Sequence, residues 1–167
     1  MISREEFVTR FGGIFEHSPF IAERGYEGGG GVFVGGGGLT AGNVLEPMVA
    51  AFRVASHEER LGVLRAHPDL AGRLAVAGGL TEDSRKEQAG AGLDRLSEAE
   101  FKRFTELNDA YTQKFGFPFI IAVKGLNKDD ILAAFEARID NSREVEFETA
   151  CAQVEKIAKL RLEALLP

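Results

Sequence analysis

The run Phe117-Pro118-Phe119-Ile120-Ile121-Ala122-Val123 decides the fold class of this chain. Its length and its β-branched residues would suit a buried β-strand. No second run of this kind occurs in the sequence, and a strand needs a neighbour for its backbone hydrogen bonds. We therefore interpret residues 117–123 as an extended, buried connector between helices.

Helix signals flank this connector on both sides. Ser97 and Glu100 form a capping box, in which each side chain binds a backbone N–H at the helix start. Apolar residues spaced three or four apart follow, which is the helical period. Similar starts occur at Ser3, Ser18-Pro19, Thr40, Ser56, Thr81, Asn127 and Ser142. The pattern predicts an all-α fold, a single domain of residues 1–167 that forms a bundle of about eight helices.

The segment 25–42 interrupts this pattern. It holds half of the chain's 20 glycines, in two runs on either side of Val32-Phe33-Val34. A phosphate-binding loop would need Gly-Lys-Ser or Gly-Lys-Thr between a strand and a helix, and the segment has neither. We expect a flexible Gly-rich loop.

Composition excludes several classes of partner. The net charge of −6 does not favour nucleic acids or anionic membranes. No apolar run is long enough to span a bilayer. The single Cys151 cannot form an internal disulfide, and the sequence begins and ends without a recognisable targeting signal. We expect a cytoplasmic protein that binds neither nucleic acid nor membrane.

Arg161 occupies an unusual place for a charged side chain. It lies four residues after Ile157 and four before Leu165, so it shares the apolar stripe of the last helix. Burying a guanidinium without an anion is costly. Two interpretations follow from the sequence: an internal ion pair, or a bidentate clamp for a planar ligand.

Two further segments carry polar groups suited to chemistry. His67 ends a helix before Pro68, and an imidazole at such a rigid corner suits proton transfer. After Thr81, the residues Ser84, Glu87 and Gln88 share one helix face. Each feature also has a structural interpretation, as a packed histidine and as a solvated helix face.

Other chemistries lack the residues that they require. The three histidines are not at zinc-ligand spacing, and no Gly-x-Ser-x-Gly motif occurs. Cys151 lies beside the apolar stripe and is expected to pack in the core. The sequence thus predicts no metal site and no cofactor.

Five ordered motifs resemble the OHCU decarboxylases, the 2-oxo-4-hydroxy-4-carboxy-5-ureidoimidazoline decarboxylases. Phe20 departs from the tryptophan usual in the first of them, and the resemblance does not cover the Gly-rich segment. The motifs are His17-Ser18-Pro19-Phe20-Ile21-Ala22-Glu23-Arg24; His67-Pro68-Asp69-Leu70-Ala71-Gly72; Leu80-Thr81-x-x-Ser84-x-x-Glu87-Gln88 with Ala91-Gly92-Leu93; Leu107-Asn108-x-x-Tyr111-x-x-Lys114-Phe115-Gly116-Phe117-Pro118-Phe119-Ile120; and Val154-x-x-Ile157-Ala158-x-x-Arg161-Leu162.

The resemblance implies a function and a set of site residues. It implies a cofactor-free, stereospecific carboxy-lyase of uric acid degradation, commonly a homodimer, that converts a small ureide to (S)-allantoin. The catalytic residues would be His67 and Glu87. The substrate-binding residues would be Pro68, Ser84, Arg85, Lys86, Glu87, Gln88, Phe119, Ile120, Ile121, Ala122, Val123 and Arg161. The connector would contribute through its backbone groups.

Two alternatives stay open at this point. One is a helical ligand-binding or interaction module without catalysis. The other is a hydrolase acting on hydroxyisourate in the same pathway, although the β-rich pattern and second catalytic histidine of that class are missing.

Overall fold

The computed structural model describes residues 1–30, 33, 38–70 and 80–167. These residues contain eight helices and no β-strand, so the predicted all-α fold is confirmed. The helices are α1 (Arg4–Phe11), α2 (Phe20–Gly28), α3 (Ala41–Val54), α4 (His57–Arg65), α5 (Glu82–Gly90), α6 (Glu98–Phe115), α7 (Lys128–Arg138) and α8 (Arg143–Leu165).

Most predicted helix starts are confirmed. Capping boxes begin α1, α3, α4, α6 and α7, and the Thr81 hydroxyl accepts from the Ser84 amide at the start of α5. The predicted cap at Ser18 is wrong. Its hydroxyl donates to the Glu16 carbonyl, and α2 begins after Pro19 without a side-chain cap. A serine can bond to nearby backbone in either way, and here the preceding turn prevails over the helix end.

The described chain divides into two compact units, residues 1–66 with 154–167 and residues 67–153. Helix α8 contributes its first half to the second unit and its last half to the first. The prediction of a single domain over residues 1–167 therefore stays a prediction. No described helix is both long and apolar enough to cross a membrane.

The Gly-rich segment differs from its predicted form at both ends and near its centre. Helix α2 includes residues 25–28, and α3 begins at Ala41. Phe33 is 2% exposed, with its ring 4.7 Å from that of Phe7 and 5.5 Å from that of Tyr26. Aromatic packing thus fixes the Phe33 side chain in the core of the first unit. Residues 31, 32 and 34–37 lie outside the described residues.

Gly25 allows α2 and α3 to pack closely. A Cβ atom at this position would lie 2.8 Å from Cγ of Met48 and 3.1 Å from its Cα. The second distance involves backbone, which cannot move aside as a side chain can. Gly25 is therefore needed here because it has no side chain, which lets the two helices approach each other.

We expect Gly25→Ala to lower the free energy of unfolding by about 1–3 kcal/mol, because the added methyl group overpacks the contact between α2 and α3. Gly28→Ala, on the same helix, is the matched control, since an added Cβ there meets no atom within 4 Å. That control should be neutral or stabilising by up to about 1 kcal/mol. Urea denaturation of both variants measures this, and equal effects would contradict the packing argument.

The second unit is built around the connector that the sequence predicted. Phe117, Phe119, Ile120 and Val123 are all buried. The Phe119 ring stacks on Phe135 of α7, with centroids 3.9 Å apart, and meets Tyr111 of α6 edge-on. The connector is thus fixed by aromatic packing against α6 and α7, without strand pairing.

Candidate active site

His67 lies at the corner that follows α4. It is 8% exposed, and two side-chain amides bind the backbone just after it. Nε2 of Gln88 donates to the Asp69 carbonyl at 3.2 Å, and Nδ2 of Asn108 donates to the Leu70 carbonyl at 2.9 Å. Proline and these two hydrogen bonds make the corner rigid. Ala71 and Gly72 of the same motif lie outside the described residues.

The polar face of α5, which the spacing predicted, is partly buried. Ser84 and Gln88 are each 5% exposed and Glu87 is half-buried. Arg85 and Lys86 have exposed side chains, and Lys86 pairs with Glu82 at 2.9 Å. The structure thus separates the five candidate residues of α5 into a buried face and an exposed pair. Gln88 belongs both to this face and to the support of the His67 corner.

The connector is held at two of its backbone groups. The Ile120 carbonyl accepts from Nη1 of Arg138 at 2.8 Å, and the Ala122 amide donates to Oε1 of Gln153 at 2.9 Å. The Ala122 amide therefore already has a protein acceptor. Within the described residues, the amides of Phe119, Ile121 and Val123 donate to no protein acceptor.

A buried charge cluster lies beside the connector. Glu146 is fully buried and accepts from the Tyr111 hydroxyl, from Nε and Nη2 of Arg138 at 2.9 and 2.6 Å, and from Nδ2 of Asn141 at 3.0 Å. Burial, and then the Glu146 carboxylate, raise the pKa of Tyr111 far above its usual value. The Tyr111 hydroxyl thus stays a donor throughout the physiological range.

Sequence reasoning missed this cluster, although a signal for Glu146 was present. Glu146 lies four residues before Ala150 and so shares the apolar stripe of α8, as Arg161 does. Arg138 lacks such a signal, because it is the last residue of α7 and has charged residues near it in the chain. Its importance depends on the tertiary contact with the connector.

Arg161, in the first unit, has an internal anionic partner. It is 6% exposed, and its Nη2 lies 3.3 Å from Oε1 of Glu16, which is 2% exposed. Its Nη1 donates to the Ile14 carbonyl at 3.3 Å. The structure therefore contains the internal ion pair that the sequence offered as one interpretation, with Glu16 as the carboxylate. A ligand-binding role for Arg161 stays a prediction.

Cys151 is buried, consistent with the packing role expected for it. Among the residues that the structure describes, no group of three or more His, Cys, Asp or Glu side chains could hold a metal ion.

Comparison with known proteins assigns the family. A family model described as OHCU decarboxylase matches residues 1–163. The chain belongs to the OHCU decarboxylase family. It is 43% identical over 158 residues to the 2-oxo-4-hydroxy-4-carboxy-5-ureidoimidazoline decarboxylase of Haloferax volcanii, covering 95% of this chain and 88% of that protein.

Solved structures agree with the family. The fold of this OHCU decarboxylase family member matches a crystal structure of (S)-allantoin synthase with a TM-score of 0.77 and 32% identity, over 99% of this chain and 51% of the other. It also matches an OHCU decarboxylase crystallised with (S)-allantoin, with a TM-score of 0.67 and 25% identity, over 87% and 89% of the two chains.

Proposed function

We propose that this protein decarboxylates 2-oxo-4-hydroxy-4-carboxy-5-ureidoimidazoline to (S)-allantoin in uric acid degradation. The observation that carries this proposal is the match to the OHCU decarboxylase family over residues 1–163. The rigid, buried corner that holds His67 supports it, since proton transfer needs a positioned imidazole.

The substrate itself can accept the electrons that decarboxylation releases. When the bond to the carboxylate breaks, CO₂ leaves and the electron pair moves toward the adjacent ring imine. The imine nitrogen takes up one proton, a second proton adds to the carbon that bears the ureido group, and the hydroxyl loses a proton to become a carbonyl. Because the ring supplies this electron sink, the proposed reaction needs no pyridoxal or thiamine cofactor.

His67 and Glu87 are the proposed catalytic residues. His67 transfers the proton to one face of the ring, which produces a single enantiomer. Glu87 orients the hydroxyl or carboxylate of the substrate. Ser84 and Gln88 on the buried face of α5 suit the hydrogen-bonding groups of a ureide, because they offer both donors and acceptors.

The remaining binding residues are assigned by their chemistry. Pro68 lies at the His67 corner, and the amides of Phe119, Ile121 and Val123 are proposed donors to the substrate. Arg161 is a proposed clamp for the planar ureide. Arg85 and Lys86, whose side chains are exposed, are further proposed binding residues on the same helix. We further propose a cytoplasmic homodimer.

The decisive experiment follows allantoin formation by circular dichroism after adding fresh hydroxyisourate, with and without a separate hydroxyisourate hydrolase. We expect rapid formation of (S)-allantoin alone, and only when the hydrolase supplies the ureidoimidazoline. Extensive EDTA treatment should leave this rate unchanged.

Three results would contradict the proposal. Racemic product at the spontaneous rate would indicate a binding module without catalysis. Faster loss of hydroxyisourate without the added hydrolase would indicate the hydrolase alternative. A rate lost to EDTA and restored by Zn²⁺ or Mn²⁺ would show that the proposed metal-free mechanism is wrong.

A further inference from the structure

The buried cluster of Tyr111, Arg138 and Glu146 contacts the connector directly. The Arg138 guanidinium binds the Glu146 carboxylate through Nε and Nη2, and binds the Ile120 carbonyl through Nη1 at 2.8 Å. Its carbon Cζ also lies 4.3 Å from the centroid of the Phe119 ring. One planar group therefore joins a fully buried carboxylate to two connector residues.

The two backbone contacts fix one edge of the connector. In an extended segment, the N–H and C=O groups of alternate residues point to the same edge. The Ile120 carbonyl and the Ala122 amide, bound by Arg138 and Gln153, belong to one edge. That alternation assigns the amides of Phe119, Ile121 and Val123 to the other edge, and in the described chain they have no protein acceptor. Because the segment is one backbone, fixing the first edge also sets the direction in which the amides of the second edge point.

Stability alone gives a weak reason for this cluster. Burying two charges removes them from water, and a buried ion pair often contributes no more stability than apolar residues of similar volume. What the pair supplies is geometry, because a guanidinium held by a carboxylate presents its remaining N–H groups in a fixed plane. Tyr111 and Asn141 complete the hydrogen bonding of Glu146 and so hold that carboxylate in place.

We propose that Arg138, oriented by Glu146 and Tyr111, is a positioning residue that sets the connector so that its outward amides bind the substrate. This inference rests on the proposed function. It places Arg138 outside the catalytic residues, since it acts through the Ile120 carbonyl and the Phe119 ring. It also gives Tyr111, one of the motif residues, the role of holding the Glu146 carboxylate in place.

Arg138→Lys tests the proposal in a protein that keeps its buried charge pair. Lysine can still face Glu146, but it cannot also reach the Ile120 carbonyl in the same plane. We expect Tm to change by less than about 4 °C. We expect KM for the ureidoimidazoline to rise roughly ten- to a hundredfold, the worth of one charge-assisted hydrogen bond, with a smaller change in kcat. The stabilisation of the protein by (S)-allantoin should fall in parallel.

The double variant Arg138→Met with Glu146→Gln removes the charges together, so that neither is left buried alone. It should also raise KM. The matched control is Arg103→Met with Glu136→Gln. That pair joins α6 and α7 at 3.0 Å, is exposed, and among the described residues has no hydrogen bond to the connector. We expect wild-type KM and Tm for the control.

Wild-type KM and allantoin stabilisation in a folded Arg138→Lys protein would overturn the proposal, because a merely structural charge pair is rescued by lysine. A rise in KM for the exposed control pair would overturn it too, since the effect would then not depend on the connector. An inactive wild-type protein would instead contradict the proposed function, and this inference with it. Activity in the wild type and the control distinguishes these failures.

Discussion

His67→Asn should yield a folded protein that forms racemic allantoin at the slow spontaneous rate. Asparagine keeps a polar side chain at the corner but cannot exchange a proton near neutral pH. Loss of positioned proton transfer should lower the rate by about 10²–10⁴-fold. Because His67 is proposed to deliver the proton to one face of the ring, the enantiomeric excess should fall with the rate. Circular dichroism of the product measures both.

His57→Asn is the matched control, since His57 is exposed at the start of α4. The control should keep the wild-type rate and enantiomer. A His67→Asn protein with wild-type rate and enantiomeric excess would show that His67 is not the proton donor. A normal melting curve for His67→Asn would exclude unfolding as the cause of its lost activity.

Arg161→Ala should lower the free energy of unfolding by about 3–5 kcal/mol. Its removal takes an ion-pair partner at 3.3 Å from the carboxylate of Glu16, which is 2% exposed, and breaking a buried ion pair is strongly destabilising. This expectation comes from the structure, because a clamp that waits for substrate in a wet site would cost little stability. Thermal or urea unfolding of the ligand-free protein measures the effect. Wild-type stability of Arg161→Ala would contradict it.

Arg161→Lys separates the two proposed roles of this side chain. Lysine keeps a positive charge beside Glu16, so most of the stability should remain. It lacks the planar fork that would bind a ureide through two hydrogen bonds. If Arg161 is the clamp, saturating (S)-allantoin should no longer stabilise the variant, whereas a ligand at a hundred times its Kd stabilises a wild-type protein by about 2.7 kcal/mol.

Arg53→Lys is the control for this substitution. Arg53 pairs with Glu155 through two hydrogen bonds of 2.8 and 2.9 Å at an exposed position. Its replacement should change neither stability nor the effect of allantoin by more than about 1 kcal/mol. Wild-type stabilisation of Arg161→Lys by allantoin would leave Arg161 with a structural role alone.

Helix starts were predictable because they depend on residues three apart in the chain. Ser56 with Glu59, for example, forms a capping box in the structure as in the sequence. Ser18 is the exception, since its hydroxyl had a second acceptor nearby in the turn at Glu16. Because a cap involves only neighbouring residues, a wrong cap shifts the predicted start of one helix by a residue or two.

The partners of the buried charges could not be predicted in the same way. The stripe of α8 shows that Arg161 is buried, but its partner Glu16 is 145 residues away in the chain. Glu16 lies in a turn, where no periodicity reveals the direction of a side chain. The sequence therefore could not name the carboxylate of the ion pair, and the structure places Glu16 there.

The sequence by itself determined the helical architecture, the buried connector and the family of this protein. Each depends on short-range order: caps, the 3.6-residue period, and motifs of consecutive residues. Only the tertiary structure decided that Phe33 is buried, that Arg161 pairs with Glu16, and that Arg138 holds the connector. These contacts join distant segments, and a buried charge is stable only where the fold brings an opposite charge and hydrogen-bond partners to it.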